Sequence, residues 1–167
     1  FILSSCKGQD PITRMEQSVA YYDKAIVAEP TNADYFQLRG RLTYALSLRR
    51  PNDAAGKQSR VQDLQQAQNY LSFSLALAPD NHDTLNWRAV VNLALSDTQS
   101  RDTAEGLAQR TVFMSAAVAD RLHMLTLAQD DVTRNNAAML LAAAYLRLGW
   151  NDYLQGKYQQ AADAAAN

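Results

Sequence analysis

Histidine, cysteine, proline and glycine are all scarce in this chain, and each scarcity narrows what it can do. Two of the 167 residues are histidine and one is cysteine. Zinc sites draw on three or four well-placed ligands in which His or Cys is prominent, so no metal is expected. A lone thiol cannot close an internal disulfide. Four prolines and six glycines starve the tight turns that a chain of β-hairpins needs, and the β-branched residues are scattered rather than alternating. No apolar run approaches the roughly 18 residues of a membrane-spanning helix, so no transmembrane span is expected. A net charge of −1 offers no basic excess to neutralise phosphates, which argues against nucleic acid as a partner. No Ser–His–Asp spacing, Gly-rich phosphate loop or paired-carboxylate motif is present, and the reading is of a chain without catalytic residues or cofactor.

What the chain does have is Ala, Leu and Gln, which favour helix, and a pattern that occurs twice. Residues 16–47 align with residues 65–96 without gaps at an offset of 49. The identical pairs are Gln17/Gln66, Tyr21/Tyr70, Pro30/Pro79, Asn32/Asn81, Asp34/Asp83, Arg39/Arg88, Ala45/Ala94, Leu46/Leu95 and Ser47/Ser96. They fall on structural punctuation. Asp10-Pro11 starts a helix, since Asp caps and Pro suits the first helical position. Val19, Tyr22 and Ile26 follow at helical spacing. Pro30 stops this helix, and Thr31 or Asn32 caps the next, which carries Phe36, Leu38, Leu42, Tyr44, Ala45, Leu46 and Leu48. Residues 49–53 break the pattern. In the second copy a helix from about Arg60 runs to Ala78, Pro79 stops it, and Asn81 caps a helix through Leu95.

A divergent third copy begins where Leu125-Thr126-Leu127-Ala128-Gln129-Asp130 echoes Leu75-Ala76-Leu77-Ala78-Pro79-Asp80. A helix from about Thr133 to Leu154 is predicted next, then a turn at Gln155-Gly156-Lys157 and a last helix. The expectation is an all-α domain over 1–167 of about seven helices, with units near 10–48, 58–96, 104–154 and, in part, 155–167.

These residues resemble the tetratricopeptide repeat family. The fullest match is the stretch from Ala144 through Tyr145, Leu148-Gly149, Gly156 and Tyr158 to Ala161. Tyr21, Tyr22, Ala25, Pro30, Phe36 and Gly40 match in the first copy, and Ala67, Leu71, Ser74 and Pro79 in the second, with Ala89 where Gly40 stood. The resemblance implies antiparallel helix hairpins stacked as a right-handed superhelical solenoid. Gly40, Ala89, Ala67, Ala25 and Ala161 would stand at close helix contacts, and Tyr22 and Phe36 would fill the gap between hairpins. The period departs from the family's, being 49 residues against about 34. The surplus is expected around 49–60 and 97–106, between helices.

By the same resemblance, one helix face of each unit lines a concave groove that holds a peptide or another protein. That assigns Asp34, Gln37, Arg41 and Tyr44 from the first copy, Asp83, Asn86, Val90 and Leu93 from the second, and Leu146, Trp150 and Tyr153 from the last. Trp150 and Tyr153 are anchors in this reading, or else pack against a further helix. The family's clamp for chaperone C-termini needs Lys, Asn and Arg, which Gln37, Val90 and Leu93 do not supply. His82, beside Asp80 and Asp83, reads as part of a capping junction, and His123 as a packing residue.

Cys6 has two readings. Phe1-Ile2-Leu3-Ser4-Ser5-Cys6 resembles the end of a bacterial lipoprotein signal, in which Cys6 would be lipidated and would anchor an envelope protein to a membrane. Alternatively the chain is an excerpt of a longer protein and Cys6 is a small buried residue. The two function classes are therefore a protein-binding scaffold module and a lipid-anchored assembly protein of the bacterial periplasm or outer membrane.

Overall fold

The structure is a computed structural model that describes residues 10–166, with side chains described throughout except at Tyr158 and residues 160–166. Cys6 lies outside the described residues. Among those described, the fold is all-α with no strand. The helices are α1 (Pro11–Ala28), α2 (Ala33–Ser47), α3 (Ala54–Leu77), α4 (His82–Thr98), α5 (Ala104–Leu127) and α6 (Asp131–Ala166). The described residues form two compact units, divided between Pro79 and Asp80.

In the first unit the punctuation acts as expected. The Asp10 carboxylate accepts from the amides of Ile12 and Thr13 at 3.2 and 3.3 Å, with Pro11 as the first helical residue. Pro30 follows the end of α1, and Asn32 caps α2 by accepting from the Asp34 amide at 3.1 Å. α3 runs antiparallel to α2, since Phe36 meets Phe73, Arg39 meets Tyr70 and Arg50 meets Asp63. The closest approach is at Gly40, where a Cβ would sit 2.8 Å from Leu71 Cγ and 3.1 Å from the Ala67 carbonyl. Leu46, Leu64, Ala67, Leu71 and Leu75 form the interior; full burial of a leucine is worth about 1.5–3 kcal/mol. α1 is the least buried helix, with no residue fully withdrawn from solvent. Ion pairs tie it in: Asp23 to Arg39 at 2.8 Å, and Glu16 to Arg50 at 3.1 Å, while Arg50 also holds Asp63 at 2.7 Å. The hydrogen bond from Arg50 to Asp63 outweighs the cost of partial burial and raises the guanidinium's pKa.

The second unit repeats these devices. Asn81 caps α4 through the Thr84 amide at 2.9 Å. Ser96 Oγ donates to the Leu93 carbonyl at 2.7 Å, as Ser47 does to Tyr44 at 2.6 Å. Buried Ala89, Asn92, Leu95 and Ser96 stand where Gly40, Thr43, Leu46 and Ser47 stand in α2. α5 is antiparallel to α4, with Arg88 held by Asp120 at 2.6 Å. α6 packs on α5 through Ala137, Leu141, Ala144 and Asn151, all buried.

Two expectations change. Residues 54–60 belong to α3 rather than to a loop: Asp53 accepts from the Gly56 amide at 2.7 Å and starts the helix there. Thr103 does the same for Gly106 in α5 at 3.1 Å. The surplus length of each copy therefore lies mainly in long helices, α3 and α5 having 24 residues each. Residues 155–157 do not turn but continue α6, giving six helices among the described residues rather than seven. A glycine inside a helix costs only about 1 kcal/mol, too little for Gly156 to break one flanked by Gln155 and Lys157.

Candidate functional site

A concavity in the first unit lies between α2 and α3. It is a cleft of about 470 Å³ lined by Phe36, Arg39, Gln66, Asn69, Tyr70 and Phe73. Residues 66, 69, 70 and 73 are spaced so that α3 presents them on one face. The Phe36 ring centroid lies 6.4 Å from that of Tyr70 and 5.9 Å from that of Phe73, both tilted. Such spacing is favourable for aromatic pairs. Phe73 is 59% exposed despite its size.

Arg39 forms the floor. Its guanidinium lies 4.4 Å from the Tyr70 ring centroid, a cation–π distance. Nε donates to Asp23 at 2.8 Å, Nη2 to the same carboxylate at 3.5 Å, and Nη1 to Thr43 Oγ1. The Tyr70 hydroxyl also donates to Asp23, at 3.4 Å. The charge of Arg39 is thus committed within the unit, and the cleft offers a ligand rings and amides rather than charge. The exposed residues of α3 from Gln62 to Leu77 are Gln62, Gln65, Gln66, Asn69, Phe73, Ala76 and Leu77, with no formal charge among them.

The second unit does not reproduce this cleft. Position by position it has Leu85, Arg88, Ala116, Ala119, Asp120 and His123 where the first has Phe36, Arg39, Gln66, Asn69, Tyr70 and Phe73. Asp120 takes the place of the Tyr70 ring beneath the arginine, and His123 Nε2 pairs with Asp80 at 3.0 Å. His123, expected as a packing residue, is half-exposed and satisfied by this bond.

The residues expected on a groove are placed as follows. In α2, Asp34 is exposed, Arg41 and Tyr44 are half-buried, and Gln37 is 7% exposed, withdrawn from solvent. In α4, Asp83 is exposed while Asn86, Val90 and Leu93 are half-buried. In α6, Leu146, Trp150 and Tyr153 are 76%, 61% and 51% exposed. The structure brings Trp150 and Tyr153 together, with ring centroids 5.3 Å apart, and Lys157 Nζ lies 5.0 Å from the Tyr153 centroid. Gln66, Asn69, Tyr70 and Phe73 were not singled out from sequence as a site. The signal was present as an uncharged run, Gln65 to Tyr70, carrying amide and aromatic residues at helical spacing.

Charged clusters in the second unit are structural. Asp97 receives Arg147, Arg110 at 3.7 Å and Arg101 at 3.8 Å. Burial, then repulsion from Arg101, lowers the Arg110 pKa; its Nε and Nη1 bond to Asn151 at 3.0 Å and to the Ser96 carbonyl at 2.7 Å. Arg121 is different. It is 4% exposed, and neither Nε nor Nη1 has a hydrogen-bond partner among the described residues. Burial pushes its pKa down. Among the described residues no three His, Cys, Asp or Glu side chains group as metal ligands, and no helix is long and apolar enough to cross a membrane. No family model, no curated protein and no solved structure matches the chain.

Proposed function

We propose that this chain is a non-catalytic scaffold that holds another protein, and that in its first unit the α2–α3 cleft grips an uncharged peptide segment. The observation that carries this reading is the cleft itself: three aromatic side chains around about 470 Å³, one of them 59% exposed, above an arginine whose charge is already met. A large apolar side chain of a partner would enter between Phe36 and Phe73. The exposed amides of Gln66 and Asn69 would hydrogen-bond to the partner's main chain, as aromatic-lined peptide grooves do. Aromatic anchors of this kind carry most of the energy of an interface.

The repeated pattern of caps, prolines and close-contact residues supports a tetratricopeptide-like solenoid with hairpins in right-handed succession. In that arrangement Asp34, Arg41 and Tyr44 of α2, and Asn86, Val90 and Leu93 of α4, would line a second, concave surface. The reading of a lipid-anchored envelope protein rests on Leu3-Ser4-Ser5-Cys6, outside the described residues.

The test compares Phe73→Ala with Arg41→Ala/Tyr44→Ala in capture of partners from native lysate, quantified by mass spectrometry. Phe73→Ala should leave the melting temperature nearly unchanged, because the ring is largely exposed, and should weaken capture roughly tenfold, about 1.4 kcal/mol. A selective loss with the α2 double variant would move the site to the concave face. Undiminished capture by both would refute peptide binding at either surface.

A further inference from the structure

α6 has two faces, and only one of them is used within the chain. Ala137, Leu141, Ala144, Leu148 and Asn151 recur at alternating steps of four and three residues and turn toward α5. On the opposite side, Val132, Met139, Leu146 and Tyr153 stand seven residues apart and are 71%, 66%, 76% and 51% exposed. Trp150 and Tyr145, at 61% and 50%, flank them. From Asn135 to Trp150 the exposed residues of α6 carry no formal charge. Soluble chains rarely leave so long an apolar stripe without a partner.

We infer that this stripe pairs antiparallel with the same stripe of a second copy of the chain, giving a two-fold symmetric dimer. Three features select this occupant. The first is shape. The seam is a heptad pattern in which the large residues Val132, Met139, Leu146 and Tyr153 alternate with Asn135, Ala142, Gly149 and Gly156. Antiparallel pairing centred near Ala144 sets each large residue against a small one: Leu146 against the second copy's Ala142, Met139 against its Gly149, Tyr153 against its Asn135, and Val132 against its Gly156. Gly149 and Gly156 have nothing within 4 Å of where a Cβ would stand, so both are open to a neighbouring helix. Parallel pairing would instead stack large on large and small on small, leaving voids.

The second feature is charge. Arg134, which uses Nη1 to hold Asp131 of its own helix at 3.2 Å, and Asp152 lie on the same flank of the seam, nine residues to either side of Ala143, and both are exposed. Antiparallel pairing brings Arg134 of each copy close to Asp152 of the other, twice by symmetry. The third feature is area. Taking about 200 Å² for a large side chain, the six exposed apolar residues present roughly 700 Å² per copy, close to the ~800 Å² per partner of a standard interface.

Sedimentation equilibrium of the 167-residue chain at about 50 µM tests this. The expected mass is twice 18.5 kDa. Leu146→Asp should leave the helical circular dichroism unchanged and weaken the dimer about thirtyfold or more. Arg134→Asp and Asp152→Arg should each weaken it several-fold, and the double exchange should restore it. A monomeric parent, the result expected if another protein's helix or nothing covers the stripe, overturns the inference. So does a dimer indifferent to Leu146→Asp. A double exchange that fails to recover overturns the antiparallel arrangement. None of these variants touches the α2–α3 cleft.

Discussion

Giving four glycines a methyl group each distinguishes close helix approach from ordinary helical preference, because the four have the same chemistry and different surroundings. At Gly56 an added Cβ would lie 2.1 Å from the Pro51 carbonyl oxygen and 2.7 Å from its carbon. At Gly106 it would lie 2.4 Å from the Ser100 carbonyl oxygen. These are backbone atoms that no rotamer change can move, so the loop must shift by about 1 Å relative to its helix. Alanine gains up to about 1 kcal/mol of helix propensity over glycine. Overpacking costs about 1–3 kcal/mol, and disturbing the caps at Asp53 or Thr103 adds about 1 kcal/mol. The net expectation for Gly56→Ala and Gly106→Ala is a destabilisation of about 1–3 kcal/mol. At Gly40 the nearest atoms are Leu71 Cγ at 2.8 Å, on a fully buried side chain, and the Ala67 carbonyl oxygen at 3.1 Å, a looser fit than at Gly56 or Gly106, and the second copy carries Ala89 at the same place. Overpacking less the gain in helix propensity puts Gly40→Ala at no more than about 2 kcal/mol, and Gly40→Leu at about 1–3 kcal/mol. At Gly149 nothing lies within 4 Å, and Gly149→Ala should stabilise by about 0.5–1 kcal/mol. Urea unfolding followed by circular dichroism, at sub-micromolar chain so that self-association adds nothing, yields the differences at constant m. If Gly56→Ala or Gly106→Ala is as benign as Gly149→Ala, the loops do not cross these helices as described, and the shared cap-and-glycine start of α3 and α5 fails with them.

Two further predictions concern the second unit. Arg121 occupies the position that Leu71 holds in the first unit, buried and with two nitrogens unpartnered among the described residues. Arg121→Leu should therefore stabilise the fold by about 1–3 kcal/mol, read as a higher urea midpoint, since an apolar side chain removes the desolvation cost of a buried charge that Asp120 offsets only in part; a loss of stability would show that the attraction to Asp120 outweighs that cost. Asp130 accepts from the Thr133 amide at 2.8 Å and from its hydroxyl at 2.7 Å, and the amide bond, then the hydroxyl bond, holds its pKa below the ordinary aspartate value. A depressed carboxylate stabilises the fold above its unfolded pKa and loses that contribution as pH falls through the folded one, so the first turn of α6 should fray only under acid. Carbon-detected NMR titration should show the Asp130 pKa moving upward in Thr133→Val, which keeps the amide bond and removes the hydroxyl bond; an unmoved Asp130 removes the hydroxyl as a cause.

The parts of the fold legible from sequence were those fixed within a few residues of chain. Asn32 and Asn81 cap because each side chain reaches an amide two or three residues on, and Pro30 and Pro79 end helices because they lack a donor. Asp53 was as readable as Asp10, but Pro51-Asn52 before it reads equally as loop, and nothing local showed that Gly56 must pass a carbonyl. Gly156 misled for the opposite reason: a sequence shows the glycine but not the 36-residue helix whose cooperativity absorbs its cost. The α2–α3 cleft needed a pairing that no local rule supplies. What the sequence held, once the pairing was known, was the contrast between the hairpins of its two units. Positions that carry the hairpin stay small or buried in both: Gly40 and Ala89, Thr43 and Asn92, Leu46 and Leu95, Ala67 and Ala117. Of the positions that line the cleft only the arginine is kept, as Arg39 and Arg88; the others change from Phe36, Gln66, Asn69, Tyr70 and Phe73 to Leu85, Ala116, Ala119, Asp120 and His123. Packing accounts for part of this contrast, since Arg39 and Tyr70 hold Asp23 of α1 while Arg88 holds Asp120 of α5. It does not account for Phe73, which takes no part in those bonds and stays 59% exposed, and that ring is the physical reason to test for a bound partner at α2 and α3.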